Sequence, residues 1–306
     1  MEAFVIPLSV LIPAHNPRPD WLARVLAALQ AQTLPREQWE LILIDNASRE
    51  PLAASVDLAW HPAARVVREE KLGSSHARLR GVREAQGDLL VFVDDDNVLD
   101  PNFLQRAWQI QRDQPRVGVF GPGQIVAEFE TEPARSLRPY LWILAQRHET
   151  AVRLSEARQN NPCLPVGAGL CIRRPLALAY AQAIEGDEIR LMFGRTGSGL
   201  LSCEDHDMAT FATHQGFAAG IFPELRLTHL IAAHRLGEAY LLQLYEGNAL
   251  SHTLLDRLWK NPPAPPAPLF ARLKARFLRD RFGRQVLQAE RRGRRRGAEL
   301  ADQAGL

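Results

Sequence analysis

The chain has 306 residues, of which 46% are hydrophobic and 24% are charged, and its formal net charge is +2. This length suffices for one large α/β domain with a sizeable core, or for one and a half ordinary domains. The composition is that of an ordinary soluble protein, and no window approaches about 18 uncharged apolar residues, which excludes a membrane-spanning helix.

In chain order, the first half alternates predicted strands and helices. An apolar strand over Ser9–Ile12 ends at Pro13, and residues 20–31 form an amphipathic helix with Asp20 as its N-cap. The next predicted elements are a strand over Glu40–Asp45, a short strand over Arg65–Val67, a helix from Gly73 through Ala85 and a buried strand over Leu89–Val93. This alternation predicts βαβ units, and hence an α/β fold with a mostly parallel, Rossmann-like sheet flanked by helices.

Three consecutive aspartates, Asp94, Asp95 and Asp96, follow the last of these strands. Open α/β sheets bind ligands at the carboxyl ends of their strands, and three crowded carboxylates repel each other unless a cation compensates. Mg²⁺ and Mn²⁺ prefer one or two protein carboxylates together with phosphate oxygens, so the triplet predicts a metal site for a phosphorylated ligand. The alternative is an acidic turn completed by Asn97 and Pro101.

Polar groups also end two earlier strands, at His15-Asn16 and at Asp45-Asn46. In one doubly wound sheet these groups converge with the aspartates on a single crevice. The chain has neither a G-x-G-x-x-G fingerprint nor a P-loop, which argues against Rossmann dehydrogenases and P-loop NTPases.

Several segments, in order, resemble those of the family 2 inverting glycosyltransferases of GT-A fold. They are residues 9–16, 44–48, Gly73 with Ala77-Arg78, 92–96, 167–174, Glu204-Asp205, and 229–231 with Arg235. The resemblance covers roughly residues 8–245 and does not extend to the tail. It implies a catalytic domain over residues 1–235, with a nucleotide-sugar half over about 1–100 and an acceptor half over about 101–235.

The resemblance implies roles for the strand-end residues in donor binding. Asp96 would bind Mn²⁺ or Mg²⁺ directly, and His229 is a further metal ligand, with a structural histidine as an equal alternative. Asp94 would lie near the ribose or reach the ion through water, and Asp95 would lie beside it with its role open. The remaining nucleotide-sugar residues implied are Pro13, Ala14, Asn16, Asp45 and Arg78, with Asp45 facing the nucleobase. The alternative for Asp45 is a turn cap.

Catalysis requires a base for the acceptor hydroxyl, because an alcohol is a weak nucleophile. Glu204 and Asp205 lie near the start of a predicted helix, whose dipole keeps a carboxylate ionised. By resemblance Asp205 is the general base and Glu204 orients it or contacts the donor sugar; His206 is the alternative base. Gly167, Ala168 and Gly169 are expected on the acceptor side.

The C-terminal region differs in composition from the rest. We expect a helix over 236–260 packed on the catalytic domain, a stiff Pro-rich linker over 261–268 and a basic amphipathic tail over 269–306. Residues 270–306 carry a net charge of +7 and the remainder −5. An apolar stripe surrounded by arginines predicts contact with an anionic membrane, and the alternative is packing on the body or on a partner. No element predicts nucleic-acid binding. The stripe contains Leu269, Phe270, Leu273, Phe277, Leu278, Phe282, Val286 and Leu287.

The expected function is that of a metal-dependent inverting glycosyltransferase, which moves a sugar from a nucleotide-diphosphate sugar, most simply a UDP-sugar, to a glycan or lipid-linked acceptor. Such chemistry suits cell-surface polysaccharide synthesis in bacteria. The three cysteines, Cys163, Cys171 and Cys203, lack C-x-x-C spacing, and no signal peptide is visible, so we expect a cytoplasmic protein at the inner face of the membrane. The alternatives are a non-catalytic nucleotide- or glycan-binding protein and a sugar-phosphate nucleotidylyltransferase.

Overall fold

A computed structural model describes residues 7–196, 201–262 and 280–306 of the chain. Its strands are β1 Leu8–Ala14, β2 Trp39–Asn46, β3 Ala64–Glu69, β4 Leu89–Phe92, β5 Asn97–Leu99, β6 Val117–Phe129, β7 Arg147–His148, β8 Arg153–Ser155, β9 Cys171–Arg173 and β10 Ala218–Ile231. Its α-helices are α1 Pro19–Gln30, α2 Ser74–Glu84, α3 Phe103–Asp113, α4 Arg174–Ala183, α5 Glu188–Leu191, α6 Glu204–His214, α7 Glu238–Leu258 and α8 Arg281–Gln303. Short 3₁₀ helices cover Arg36–Gln38, Leu52–Ala54, Arg138–Leu144 and Ala233–Leu236.

The described strands form one sheet in the order β3-β2-β1-β4-β9-β6-β10-β5, with β7 on β6 and β8 on β10. The four strands of the N-terminal half are parallel, as is the long ladder of β6 with β10. The short strand β9 runs antiparallel between β4 and β6 and joins the two halves. The predicted α/β fold with a mostly parallel sheet flanked by helices is confirmed.

Strand sequences are apolar on both faces because helices cover both faces. Along β1, Val10 and Ile12 pack in one core cluster with α1 and α3, whereas Leu11 packs in another with α2, α4 and α6. In β4, Val91 and Phe92 divide between the same two clusters. Such two-sided burial is typical of a parallel sheet. It directs the residues that follow β1, β2 and β4 to a single edge of the sheet.

Two local predictions in the first segment are wrong. Pro13 does not end β1, which continues to Ala14; a proline is tolerated there by the hydrogen-bonding pattern at the strand's end. The N-cap of α1 is Arg18 rather than Asp20, and no side chain caps the helix. Asp20 lies in the first turn, where it pairs with the Arg18 guanidinium at 2.8 Å and its charge suits the helix N-terminus.

The last helix, α8, packs along α7 over most of its length. Small residues recur every four positions on its inner face, at Ala289, Gly293, Gly297 and Ala301, and all four are buried. A Cβ on Gly297 would lie 2.7 Å from the Leu250 carbonyl oxygen, so the two helix backbones approach closely. This contact makes α8 part of the folded body.

The predicted membrane contact of the stripe is therefore wrong for Phe282 and Val286, while Leu287 is half-buried. Phe282 and Val286 are each only 4% exposed and belong to a core cluster with Leu241 and Tyr245 of α7. The alternative, packing on the body, is what the structure shows for these two residues. Most of the predicted linker and the stripe residues Leu269, Phe270, Leu273, Phe277 and Leu278 lie outside the described residues. Among the helices that are described, none combines the length and apolar character needed to cross a bilayer.

Candidate active site

A cavity of about 550 Å³ opens where the carboxyl ends of β1, β2 and β4 meet the start of α6 and the inner side of α7. Its walls include Asp94, Asp95 and Asp96 from the first half of the chain, and Glu204 and Asp205 from the second. The predicted metal-side and catalytic residues thus lie in one cavity, although about 110 positions separate them in sequence.

Asp96 lies between two cationic or potentially cationic groups. Its Oδ2 is 3.2 Å from Nη1 of Arg235 and 3.4 Å from Nε2 of His229, while its Oδ1 accepts a hydrogen bond from the Asn97 side chain. Burial opposes ionisation of this carboxyl, but His229 and Arg235 outweigh it and hold the pKa of Asp96 below its usual value. Asp96 is therefore ionised at neutral pH.

The tautomer of His229 follows from its partners. Its Nδ1 lies 3.0 Å from the Leu144 carbonyl oxygen, which can only accept, so Nδ1 carries the proton. When the ring is neutral, its lone pair is on Nε2, which faces Asp96; when the ring is protonated, Nε2 donates to that carboxylate, and this cationic form is the one that lowers the pKa of Asp96. The hydrogen bond from Nδ1 to a backbone carbonyl fixes the orientation of the ring, as such bonds do for histidines in general.

The pKa of Asp95 is shifted in the direction opposite to that of Asp96. Burial and the charges of Asp96 and Asp94 raise the pKa of Asp95 to about 8. The proximity of the other two carboxyls therefore favours the protonated form of Asp95. A bound cation would favour the ionised form of all three carboxyls.

Arg78 connects the two acidic groups of the cavity. Its Nη2 donates to Asp94 at 2.9 Å, and its Nε lies 3.7 Å from Oε1 of Glu204. Ser74 also donates to Glu204, at 3.1 Å. A Cβ at position 167 would approach the guanidinium to 2.7 Å, which explains why Gly167 is needed above it.

Asp205 is held by two backbone N–H groups. Oδ2 accepts from Gly167 at 2.6 Å and Oδ1 accepts from His206 at 2.7 Å. Burial opposes ionisation, but His206, Arg78 and these two donors outweigh it, so the pKa of Asp205 is lowered. For Glu204, burial and the charge of Asp205 outweigh Arg78, and its pKa is raised. Adjacent carboxyls with oppositely shifted pKa values are typical of catalytic pairs.

The start of α6 is set by an unusual backbone conformation. Cys203, its N-cap, has φ +87°, a left-handed value that costs a non-glycine residue energy. Asp207, one turn on, turns away from the cavity, where it accepts hydrogen bonds from Tyr180 and Trp259 at 2.8 and 2.7 Å. The helix start is therefore anchored from behind while Glu204 and Asp205 face the cavity.

The predicted nucleotide-binding residues divide into two groups. Pro13, Ala14 and Arg78 line the cavity, whereas Asn16 and Asp45 do not. Asp45 is 1% exposed, and its carboxylate accepts from the backbone N–H groups of Ser48 and Leu52 and pairs with Arg68 at 2.8 Å. This is the turn-capping alternative that the sequence left open, so nucleobase contact by Asp45 stays a prediction.

Asn16 also organises loops, because its side chain accepts from the backbone of Arg49 and its own N–H donates to Ser48. On the predicted acceptor side, Gly167 and Ala168 line the cavity. Gly169 does not; it has φ +73°, and a Cβ there would meet Leu227 at 2.9 Å, so it serves close packing.

Other lining residues were not found from the sequence. Trp142 and Arg147 come from the segment around β7, and His252 comes from α7. Potential ligand atoms of Cys203, His206 and His252 all lie within 4.8 Å of one another, a proximity that the sequence spacing of these residues did not reveal. All three cysteines are free and buried, in accordance with the absence of a disulfide framework.

Comparison with known proteins assigns the chain to a protein family. The sequence model of glycosyl transferase family 2 matches residues 9–174, more than half of the chain. The chain belongs to this family of glycosyltransferases, and its fold is the GT-A fold expected from the resemblance.

Among curated proteins, the succinoglycan biosynthesis protein ExoW of Rhizobium meliloti is 36% identical over 107 residues, which cover 33% of either chain. Glycosyltransferase AglE of Haloferax volcanii is 28% identical over 32% of this chain and 33% of its own. An N-acetylglucosaminyltransferase of Bradyrhizobium diazoefficiens is 22% identical over 73% of this chain and 44% of its own. The chain thus spans about a third of the length of ExoW and AglE.

Solved structures of S. aureus TarS are similar in fold. TarS 1–349 in complex with UDP-GlcNAc has a TM-score of 0.54 and 16% identity, with 89% of this chain and 71% of that chain covered. TarS 1–349 without a named ligand has a TM-score of 0.53 and 14% identity, with 92% and 71% covered.

Proposed function

We propose that this family 2 glycosyltransferase is a metal-dependent inverting enzyme that transfers a sugar from a UDP-sugar to a hydroxyl of a glycan or lipid-linked acceptor. The observation that carries the proposal is the shared cavity, in which the Asp96–His229 pair and the Glu204–Asp205 pair face a common space. The first pair suits a phosphate-bound cation, and the second suits a base for the acceptor.

Asp96 and His229 are the residues that would hold a divalent ion. Their Oδ2 and Nε2 atoms face each other at 3.4 Å, and Arg235 supplies a positive charge to both, at 3.2 and 3.4 Å. When bound, Mn²⁺ or Mg²⁺ would neutralise charge that develops on the leaving diphosphate. Arg235 is placed to add to that neutralisation.

Asp205 is the proposed base. In a single displacement the acceptor oxygen forms a bond to the anomeric carbon, its proton passes to Asp205, and the bond from that carbon to the diphosphate oxygen breaks. Attack from the face opposite the leaving group inverts the configuration. The lowered pKa of Asp205 keeps it ionised and able to accept the proton, and its two backbone N–H donors fix its orientation.

The donor is proposed as a UDP-sugar by analogy with TarS, which has been crystallised with UDP and with UDP-GlcNAc. The acceptor is proposed as a cell-surface glycan by analogy with ExoW, a succinoglycan biosynthesis protein. The test is a calorimetric screen of UDP-, GDP- and dTDP-sugars with Mn²⁺, followed by measurement of nucleotide-diphosphate release. We expect UDP-sugars to bind with Mn²⁺ and to release UDP; a protein that binds none of these donors would contradict the proposal.

We also propose that the protein contacts an anionic membrane at the cytoplasmic face, through the outer face of α8. Arg291, Arg294 and Arg295 are exposed there, and an arginine contributes about 1 kcal/mol near an anionic surface. Arg294 and Arg295 also form exposed ion pairs with Glu290 and Glu299, which reduce their share of this attraction. Because Phe282 and Val286 are buried in the body, this contact would be electrostatic and should vanish at high salt. Sedimentation with phosphatidylserine liposomes tests it, and binding that salt does not weaken would contradict it.

A further inference from the structure

Trp142 presents an aromatic ring to the cavity. The residue is 60% exposed. In the described part of the chain, the other exposed large hydrophobic side chains are all aliphatic. Its ring packs edge-to-face on Tyr245 of α7, with centroids 5.9 Å apart, so its orientation is set before any ligand arrives. A rigid aromatic face in a polar cavity is a suitable platform for the apolar face of a sugar ring, since little side-chain entropy is lost on binding.

Arg147 presents a cation without a protein counter-ion to the same cavity. Its Nη1 is buried without a hydrogen-bond partner, and no described carboxylate lies within 4 Å of its guanidinium. Among the other arginines that line the cavity, Arg78 pairs with Asp94 and Arg235 pairs with Asp96, whereas Arg195 is exposed and has no described carboxylate within 4 Å. Burial of this guanidinium lowers the pKa of Arg147. A partly buried charge that lacks a partner is costly, and an anionic ligand would remove that cost.

The segment that carries Trp142 and Arg147 comes from a different part of the sequence than most of the nucleotide-side residues. Trp142 and Arg147 lie between β6 and β8, after the first 100 residues that supply the nucleotide-side wall. The Leu144 carbonyl between them holds His229, and the charge of Asp205 acts on the Arg147 guanidinium. The pair therefore lies next to the reaction centre, near both the proposed metal residue His229 and the proposed base Asp205.

We propose that Trp142 and Arg147 form an acceptor subsite for a sugar unit that bears a phosphate or a carboxylate group. The inference rests on the proposed transferase function and adds the chemical class of its acceptor. Trp142 packs on the sugar ring, and Arg147 binds the anionic group through its free N–H donors.

The test is ligand-observed NMR titration of the full chain with donor-side binding saturated by UDP and the diamagnetic ion Mg²⁺. The probes are methyl glycosides of glucose, galactose and mannose, each in its neutral, uronate and 6-phosphate form. The comparison of uronate with 6-phosphate identifies which anion the subsite takes. The variants are Arg147→Gln, Trp142→Ala and Trp142→Phe. Arg153→Gln is the matched control, because Arg153 is a nearby arginine that pairs with Glu149 and does not line the cavity.

We expect at least one anionic form to bind about tenfold more tightly than its neutral counterpart, and Arg147→Gln to abolish that preference while Arg153→Gln retains it. Trp142→Ala should weaken neutral and anionic forms alike by about fivefold, and Trp142→Phe should recover part of the loss. Equal binding of neutral and anionic forms, absence of anionic-sugar binding, or a preference that survives Arg147→Gln would overturn the proposal.

Calorimetry with UDP distinguishes this inference from the proposed function. A loss of UDP affinity in Arg147→Gln would place Arg147 on the donor and overturn the subsite. If the wild-type protein binds no UDP, the proposed function fails, and the same titrations without UDP still decide whether the subsite exists.

Discussion

At the scale of single residues, the site depends on how neighbours divide charge between adjacent carboxyls. Asp96 and Asp205 have lowered pKa values, whereas Asp95 and Glu204 have raised ones. Asp96 and Asp205, which are ionised, are each in contact with a cation or with N–H donors. Asp95 and Glu204, whose pKa values are raised, are each partly buried beside one of these ionised neighbours. Two groups are thereby kept anionic at the two ends of the cavity.

Replacement of Asp96 tests the metal end. Asp96→Asn keeps the size of the side chain but removes the charge that faces His229 and Arg235. We expect UDP affinity in Mn²⁺ to fall at least about tenfold and to become insensitive to EDTA. Calorimetry measures both, with Asp113→Ala on the exposed surface of α3 as the control. Wild-type affinity that EDTA leaves unchanged would show that no metal takes part.

His61 gives a prediction on pH and stability. It is 3% exposed beside Trp39, its Nδ1 accepts from the Ala63 N–H, and burial lowers its pKa to about 4. The unfolded chain, with a histidine pKa of about 6.5, binds more protons between pH 6.5 and 4. The free energy of unfolding should therefore be fully present above about pH 6.5 and decline as the pH falls towards 4.

His61→Gln should reduce the decline of the free energy of unfolding with falling pH. Urea unfolding at pH 7 and at pH 5 should give a difference that is about 1–2 kcal/mol smaller in the variant than in the wild type. The exposed His148 is the matched control, and His148→Gln should leave the difference as it is in the wild type. The same pH dependence in His61→Gln and wild type would mean that His61 is not held neutral.

The position of a functional residue was predictable from the sequence where the direction of the preceding strand alone determines it. Asp94, Asp95 and Asp96 reach the cavity because a buried strand ends just before them. The position of Asp45 depends instead on the path of the next loop, which brings the N–H of Leu52 onto its carboxylate. Trp142 and Arg147 lie in a segment without a periodic pattern, so nothing in the sequence placed them at the cavity.

At the scale of elements, the α7–α8 contact is the least expected feature. The apolar stripe was visible in the sequence, but its partner was not. The four-residue repeat of Ala289, Gly293, Gly297 and Ala301 was the available signal, because small residues at that spacing allow two helices to approach closely. Phe282 and Val286 cannot contact a membrane while they are buried against α7.

Gly293 tests this helix contact. A Cβ on Gly293 would collide with the Glu246 carbonyl oxygen and approach the Ala249 Cβ to 3.0 Å. Overpacking should destabilise Gly293→Ala by about 1–3 kcal/mol, against a gain in helix propensity of about 1 kcal/mol. Thermal unfolding should show a lower midpoint than wild type, whereas Arg295→Ala, at a position 72% exposed, should change it little. A Gly293→Ala midpoint at or above that of the wild type would show that α8 is not packed this closely.

At the scale of the whole molecule, two halves of the chain contribute different chemistry to one cavity. The N-terminal half of the sheet was predictable because its strands are continuous apolar runs. The second half was not, since its short strands β7, β8 and β9 have two or three residues each and take their places through pairing with longer strands. The meeting of the halves depends on β9, which pairs with both β4 and β6.

The central claim is that Asp96 and His229 serve the donor and that Asp205 supplies the base. UDP-sugar binding and UDP release, measured together in Asp205→Asn, test it most directly. The account predicts donor affinity within a few-fold of wild type and UDP release lowered at least about 100-fold, the usual size of a general-base contribution. Near-wild-type release in Asp205→Asn, with release lost instead in His206→Ala, would contradict it.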